Sequence, residues 1–313
     1  MVYKIYIGKD TWFHDKNREG LELLIQNGFF EKTSNIDESN IIFYISPSPM
    51  HSSSINEIDI YDVKYKNKII IIGPHFTVYP SSYIRSLNNN INNNLLYNLL
   101  SKWVCDFWKI HLGDNFPLPL VQLPYPINTE LFKPDTNVKK ELVVIYIKNR
   151  SQDDYQYIID YMNNNYNYNI KIFNYKNKYN QEDYINSLKK AIFCIWIGRH
   201  ESQGFALQEA LSLNVPLLVY DVLHMGQEEG QEHDYNYCNT VATVISYWDN
   251  RCGETFYKKE DFVNTLNKLI INIELNNYNP REFIIENLSP IGVYNKYWKP
   301  VIENKFALIL KKI

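Results

Sequence analysis

Short apolar segments alternate with longer amphipathic segments along this chain, and the alternation is the feature that most constrains its fold. A short apolar run between turn residues is typical of a strand buried on both faces, as the strands of a parallel sheet are. The longer segments carry apolar residues at every third or fourth position, which predicts helices that cover such a sheet. The pattern therefore predicts an α/β fold with parallel sheets.

The two halves of the chain show the same alternation. The predicted strands are 2–7, 41–45, 69–72 and 118–123, then 142–147, 170–173, 191–197, 215–220 and 241–245. The predicted helices are 15–29, 95–111, 153–162, 181–190, 204–213, 262–275 and 280–288, with a last amphipathic segment at 300–313. We expect two Rossmann-like domains facing a central cleft, with ligands bound beyond the carboxyl ends of the strands.

A polar stretch at 134–137 marks the predicted domain boundary. The expected domains are a short N-terminal one at 1–134 and a C-terminal one at 135–299. The helix at 300–313 could cross back to the first domain.

Charge and cysteine content exclude several classes of protein. The chain has 32 basic and 35 acidic residues and a net charge of −3, whereas nucleic-acid-binding and polybasic membrane-surface proteins are strongly basic. The longest apolar run, 191–197, is strand-sized, so we expect no membrane span. The start of the chain alternates like a strand and does not resemble a signal peptide.

The cysteines are far apart and form no Cys-x-x-Cys pair: Cys105, Cys194, Cys238 and Cys252. This usage predicts neither a zinc site nor a disulfide framework, and it favours a reducing compartment such as the cytoplasm.

The composition is also skewed in a way that points to codon usage. Asn is abundant, and there are 26 Tyr but only 11 Gly. This bias is typical of AT-rich genomes, such as those of some large DNA viruses. If the chain is viral, we expect the protein in the cytoplasm of the host cell.

The most informative segment is 197–219, a buried strand, a polar loop, a helix that starts near Gly204, and a second buried strand. The free N–H groups and the dipole of a helix start attract an anion without any basic side chain, and a glycine there allows a ligand to approach the backbone. Glu201 lies in the loop and Glu209 lies eight residues later, roughly 12 Å along a helix. That spacing suits two hydroxyl-rich parts of one extended ligand better than a shared metal.

This Glu-x7-Glu segment, with its internal Gly, its Glu-Ala-Leu and its Val-Pro-Leu strand, resembles the donor-binding signature of retaining nucleotide-sugar glycosyltransferases of the GT-B fold, group 1 or family 4-like. The resemblance implies that Glu201 contacts the donor sugar and that Glu209 contacts the ribose hydroxyls. It places further donor-binding backbone groups at Ser202, Gln203, Gly204 and Phe205. His200, beside Glu201, either lies near the donor as a further binding residue or helps to order the loop.

Two other segments are similar to the same family. The segment 124–134 is similar to its interdomain Pro-Asn-Gly-Val-Asp-x-x-x-Phe-x-Pro, although Tyr125-Pro126 replaces the Asn-Gly pair, and we interpret it as a Pro-rich linker without chemistry. Lys148, Asn149 and Arg150 follow a strand where the family has Gly-Arg and a later Lys on the donor diphosphate. Which of the two basic residues holds which phosphate oxygen stays open.

In the first half, His75 follows the strand 69–72, where many relatives carry a histidine near the reacting carbon of the sugar. The resemblance thus implies four catalytic candidates: Glu201, His75, Arg150 and Lys148. The acidic stretch 228–234 is interpreted as a solvated, mobile loop rather than as metal ligands.

The resemblance implies a retaining hexosyltransferase that needs no metal or other cofactor. Its substrates would be a UDP- or GDP-linked sugar and a carbohydrate or glycosylated acceptor bound by the first domain, with no nucleic-acid partner; a homo-oligomer is left open. Two alternatives remain: a GT-B-fold epimerase of nucleotide-sugars, and a non-catalytic nucleotide-sugar-binding module.

Overall fold

The computed structural model describes residues 2–8, 14–44, 63–74, 78–80, 94–113, 119–229 and 238–311. The chain divides into two compact units, one of Met1–Asn128 with Asn287–Ile313 and the other of Thr129–Glu286. The sequence-based prediction sets the boundaries at residues 134 and 299.

The first unit contains a six-stranded sheet in which every pair of neighbouring strands is parallel. Its strands are β1 (Tyr3–Ile7), β2 (Phe30–Thr33), β3 (Ile41–Tyr44), β4 (Ile69–Ile72), β5 (Leu95–Leu99) and β6 (Leu120–Gln122), and its first helices are α1 (Asp15–Gln26) and α2 (Lys102–Leu112). The strand order is β2-β1-β3-β4-β5-β6. All residues of β3, β4 and β5 are buried, which is the burial that the apolar runs predict for the middle of a parallel sheet.

One predicted helix is partly wrong. The sequence predicts a helix over 95–111, but Leu95–Leu99 forms β5, and α2 begins only at Lys102. Apolar residues at successive positions fit a buried strand as well as a helix, and the pairing of this segment with β4 on one side and β6 on the other decides for the strand. The strand predicted over 241–245 is also wrong, because this segment makes only a single antiparallel bridge, between Val241 and His224.

The second unit is a five-stranded parallel sheet with helices around it. Its strands are β7 (Leu142–Ile147), β8 (Asn169–Asn174), β9 (Ala191–Ile197), β10 (Leu217–Tyr220) and β11 (Gly253–Phe256). Its helices are α3 (Gln152–Asn165), α4 (Gln181–Lys189), α5 (Phe205–Ser212), α6 (Phe262–Glu274) and α7 (Pro280–Leu288). Apolar residues of β7, β9 and β10 pack against α3 and α6 to form the core of one face.

The order of these strands, β11-β10-β9-β7-β8, places a switch point between β7 and β9. From β7 the chain moves outward in one direction to β8, then returns to the other side of β7 as β9. Ile147 pairs with Ile197, so both strands end at the same level and their loops start side by side. In open α/β sheets, ligands bind in the crevice that such a reversal opens.

The end of the chain returns to the first unit as α8 (Pro290–Val293), a π-helical turn at Tyr294–Trp298, and α9 (Lys299–Leu310). Trp298 is fully buried, and its indole N–H donates to the carbonyl of Pro124 at 2.9 Å. Its ring packs against Phe30 and Phe43 at centroid distances of 5.6 and 5.7 Å. In the segment 124–134, residues 124–127 and Phe132 are buried, whereas Glu130, Leu131 and Lys133 are exposed.

No helix in the described part of the chain combines the length and the apolar character that crossing a membrane requires.

Candidate active site

The loop after β9 enters α5 through a left-handed residue. Gly204 is the N-cap of α5, with φ +86° and ψ +50°. A Cβ built there would meet nothing closer than 3.5 Å, so the backbone conformation rather than space favours glycine at this position. The predicted loop and helix start are therefore in place at the carboxyl edge of the sheet.

Two glutamine side chains close the first turn of α5. Gln203 and Gln208 are both buried; the Nε2 of Gln208 donates to the carbonyl of Gln203 at 2.6 Å, and the Nε2 of Gln203 donates to the Oε1 of Gln208 at 3.1 Å. The side chain of Gln203 is thus engaged within the protein, and the donor contact predicted for Gln203 is one of its main chain. Ser202 lies half-buried in the turn before it, and Phe205 is the first residue of α5.

Lys148 and Glu201 meet across the switch point. Lys148 follows β7 and Glu201 lies in the loop after β9, and the lysine Nζ is 2.6 Å from the carboxylate Oε1. The two side chains are only 13% and 14% exposed. The ammonium also lies 4.8 Å from the ring centroid of Tyr175. The structure therefore brings together two of the four predicted catalytic residues as a partly desolvated ion pair.

The main chain of Glu201 is held on both sides. Its N–H donates to the carbonyl of Thr243 at 3.0 Å, and its carbonyl accepts a hydrogen bond from the hydroxyl of Ser246. We call residues 243–246 the strap. The strap fixes the position from which the Glu201 carboxylate projects.

A buried carboxylate, Asp221, holds the strap in turn. It directly follows β10, and its Oδ1 accepts from the N–H groups of Val222 at 2.8 Å and Val244 at 2.6 Å. The hydroxyl of Thr243 donates to its Oδ2 at 2.9 Å. Burial raises the pKa of Asp221 above its usual value, although these hydrogen bonds and the nearby charge of Arg150 oppose the shift.

His200 and Glu228 form a second buried pair next to Glu201. The Nδ1 of His200 lies 2.7 Å from both carboxylate oxygens of Glu228, and the His200 N–H donates to the same carboxylate. Nδ1 must carry a hydrogen in this arrangement, since a carboxylate only accepts. The expectation of a solvated acidic loop is wrong for Glu228, whose side chain is fully buried because the histidine satisfies it; residues 230–234 lie outside the described residues.

Arg150 is buried beneath the loops, with its side chain only 1% exposed. Its Nη1 donates to the carbonyls of Gly198 and Tyr220 at 3.2 and 3.3 Å, and its Nε donates to Asp154 at 3.3 Å. The guanidinium also stacks over the Tyr220 ring at 4.1 Å. This side chain therefore ties together the carboxyl ends of β7, β9 and β10.

The residue between the two basic ones, Asn149, adopts a left-handed conformation with φ +50°. Its carbonyl accepts a hydrogen bond from the N–H of Glu229 at 3.0 Å.

Glu209 is buried on α5 beside a group of tyrosines. Burial raises the pKa of Tyr179, and the charges of Glu209 and Glu201 raise it further, so both carboxylates lie within electrostatic reach of this phenol. The Tyr179 hydroxyl lies 3.2 Å from that of Tyr146, which stacks on Trp196 at 4.0 Å. An aromatic cluster thus adjoins both predicted donor-binding glutamates.

The remaining predicted catalytic residue, His75, lies outside the described residues. Within the described ranges, no group of three or more His, Cys, Asp or Glu side chains has the arrangement of a metal site.

Sequence reasoning missed Asp221, Glu228, the strap and the tyrosine cluster. Only Asp221 carried a usable signal, since an acidic residue directly after a buried parallel strand lies at the edge where ligands bind.

Comparison with known proteins identifies the fold. No protein-family model matches the sequence, and no curated protein matches it. Among solved structures, the chain is similar to the lipopolysaccharide outer core galactosyltransferase WaaB, with 10% identity, a TM-score of 0.53 and full coverage of both chains. It is also similar to sucrose-phosphate synthase from Thermosynechococcus elongatus, with 9% identity, a TM-score of 0.54, and coverage of 98% of this chain and 100% of that one.

A further similar structure is TarM of S. aureus in complex with UDP, with 13% identity, a TM-score of 0.48 and coverage of 86% of this chain. The chain spans 55% of that protein's length and 54% of a second TarM structure. The matches to WaaB and sucrose-phosphate synthase show the fold: the chain shares the GT-B fold of two parallel-sheet α/β domains, and the predicted fold class is confirmed.

Proposed function

We propose that this chain is a glycosyltransferase that moves a hexosyl group from a nucleotide-sugar to an acceptor hydroxyl, with retention of the anomeric configuration and without a metal. The observation that carries the proposal is the Lys148–Glu201 pair, which lies at the switch point of a sheet in the GT-B fold. WaaB, named as a galactosyltransferase, shares that fold over its full length.

The two members of the pair would serve different parts of the donor. The Glu201 carboxylate accepts hydrogen bonds from hydroxyls of the sugar, and the Lys148 ammonium stabilises the negative charge of the diphosphate. The N-terminus of α5 adds its dipole to the same charge, and Glu209 accepts from the ribose hydroxyls. The main chain from His200 to Phe205 and at Asn149 lines the donor.

The reaction would take place on one face of the sugar. The acceptor oxygen bonds to the anomeric carbon on the face from which the diphosphate departs, the bond between that carbon and the phosphate oxygen breaks, and the acceptor proton passes to a phosphate oxygen. Such a step needs charge stabilisation more than a protein base. Removing one preorganised donor typically costs about 2.7–4 kcal/mol of barrier, and Lys148 would supply stabilisation of this size.

Arg150 would support the reaction indirectly, by holding two loops of the site in place. Its guanidinium donates to the main-chain carbonyls of Gly198 and Tyr220, from which these loops begin. A role for His75 near the reacting carbon stays a prediction.

The test is product analysis with UDP-, GDP- and ADP-glucose, each with and without a panel of mono- and disaccharide acceptors. A glycoside of unchanged anomeric configuration, formed equally well in EDTA, is the expected result. An inverted product overturns retention, and loss of activity in EDTA overturns metal independence. Epimerised donor without acceptor indicates an isomerase, binding without turnover indicates a binding module, and neither binding nor turnover with any donor contradicts the proposal.

Two variants make the assay specific for the site. Glu201→Gln should lower turnover by about 10- to 150-fold, since a hydrogen bond to a charged group contributes about 1.5–3 kcal/mol. Asp183→Asn is the matched control, because Asp183 also pairs with a lysine, Lys171 at 3.0 Å, but half-exposed on the surface. It should keep full activity.

A further inference from the structure

The position of Glu201 depends on bonds to its main chain. Its side chain contacts Lys148, which belongs to the site itself, so that contact cannot hold Glu201 in place while a donor competes for the ammonium. The hydrogen bonds to Thr243 and Ser246 do not involve any group that a donor would displace. The strap therefore holds the main chain from which the carboxylate projects.

The strap has no regular secondary structure of its own. Residues 238–242 are joined to 223–226 by main-chain bonds, among them Met225 N–H to Thr240 carbonyl at 3.1 Å and Gly226 N–H to Cys238 carbonyl at 2.8 Å. Those bonds end at residue 242, one residue before the strap begins. The carboxylate of Asp221 holds the strap through the N–H of Val244 and the hydroxyl of Thr243, whose oxygen in turn accepts from the N–H of Ile245 at 3.0 Å.

Asp221 is in turn fixed to the sheet. It follows β10 directly, is only 2% exposed, and its N–H donates to the carbonyl of Phe256 at the end of β11 at 3.0 Å. A buried carboxylate is costly, and this one accepts four hydrogen-bond contacts, three of them from Thr243 and Val244 of the strap and one from the adjacent N–H of Val222. The chain of contacts thus runs from the sheet through Asp221 and the strap to the main chain of Glu201.

We propose that Asp221 is a positioning residue for Glu201, holding its main chain through the strap so that the carboxylate meets the donor sugar. The inference rests on the proposed function for its last step only. The structural step, from Asp221 to the backbone of Glu201, stands independently of what the site binds.

The experiment compares three variants with a control. Asp221→Ala removes the anchor, Asp221→Asn keeps an acceptor for the two N–H groups, and Ser246→Ala removes only the hydroxyl that donates to Glu201. The control is Asp249→Ala, which lies in the same part of the chain but whose carboxylate bonds to Arg251, at 2.7 Å from Nη2. Thermal unfolding establishes that each variant folds.

The first readout needs no ligand. Hydrogen exchange of the peptide covering 198–204 should be faster in Asp221→Ala and in Ser246→Ala, near wild type in Asp221→Asn, and unchanged in Asp249→Ala. Unchanged exchange in both Asp221→Ala and Ser246→Ala overturns the structural step. If Asp221→Ala does not fold, Ser246→Ala decides, since its side chain is only partly buried.

The second readout separates positioning from general damage. Turnover of UDP-, GDP- or ADP-glucose, whichever the wild type uses, should fall by about 100-fold in Asp221→Ala, the loss that a misplacement of about 1 Å can cause. The Kd of the corresponding nucleoside diphosphate should not rise, because Lys148 and the N-terminus of α5, which would hold the diphosphate, are left in place. Asp221→Asn should recover most of the turnover.

A double variant tests the route of the effect. In the Glu201→Gln background, Asp221→Ala should cost little more, because the group it positions is already gone; a full additional loss overturns the inference. If the wild type neither binds nor uses any of the three donors, the proposed function fails, and the exchange measurement still decides the structural step.

Discussion

Lys148 and Glu201 form an ion pair in which the ammonium Nζ lies 2.6 Å from the carboxylate Oε1, and both side chains are mostly buried. A diphosphate would have to compete with the carboxylate for the same ammonium. Donor binding would therefore exchange the partner of Lys148 and release Glu201 to the sugar hydroxyls.

Glu201→Gln should consequently have opposite effects on two ligands. The Kd of the nucleoside diphosphate should fall about fivefold, because Lys148 no longer has a competing carboxylate and a partly exposed pair of this kind is worth about 1 kcal/mol. Turnover of the corresponding sugar-linked nucleotide should drop at the same time. Isothermal titration of UDP, GDP and ADP checks the first effect, and weaker binding in the variant would contradict it.

Arg150→Met should destabilise the second unit strongly. The substitution removes a buried cation that donates to two main-chain carbonyls and leaves Asp154 with only the more distant charge of Lys259, a change that typically costs about 3–5 kcal/mol. Urea unfolding followed by far-ultraviolet circular dichroism measures the loss. Lys171→Met, which breaks an exposed ion pair, is the control and should change stability by less than about 1 kcal/mol.

Gly204→Ala should reduce both stability and turnover. The left-handed φ costs an L-residue about 1–2 kcal/mol, and relief of that strain would shift the loop that carries Glu201. Gly28→Ala is matched to it, since Gly28 has φ +76° and open space around it but lies in the first unit after α1. Gly28→Ala should lose a similar amount of stability and retain its turnover. Equal turnover in the two variants would show that the conformation at Gly204 does not affect the site.

Glu228→Gln tests the second buried pair. The amide places an NH2 donor where one of the two carboxylate oxygens faces Nδ1, and it removes the negative charge from the contact with the N–H of His200, so both hydrogen bonds weaken. We expect a loss of about 1–3 kcal/mol of stability. Glu229→Gln is the neighbouring control, because the Glu229 side chain is partly exposed and pairs with Lys176; an equal loss in the two variants would contradict the assignment.

Asp221 should make stability depend on pH in a defined direction. Its pKa is raised in the folded state by burial, so the native protein holds this proton at pH values where the unfolded chain has released it. Stability attributable to this group therefore declines as pH rises from about 3.9, the ordinary value, through the raised one. Asp221→Asn should gain in melting temperature relative to wild type over that interval, and a constant difference between pH 3.5 and pH 7 would contradict the shift.

Local patterns in the sequence predict the parallel sheets and the loop that carries Glu201. A buried parallel strand is recognisable from its own residues, and a glycine before an amphipathic helix marks the helix start. The same local signal misassigns 95–99, because five apolar-rich residues fit the periodicity of a helix as well as that of a strand. Only pairing with the neighbouring strands decides between the two. The contacts of Asp221 with Val244 and of Glu228 with His200 join residues more than twenty positions apart, so no local pattern contains them.

The return of the chain to its first unit bears on how the protein folds as it is synthesised. Residues 129–286 form a continuous segment that can complete its own sheet before the rest has emerged from the ribosome. The first unit, although made earlier, must wait, because Trp298 supplies part of the core against Phe30 and Phe43. The apolar surface of Phe30 and Phe43 that Trp298 covers therefore stays exposed until residue 298 has been synthesised, well after the strands of the first sheet.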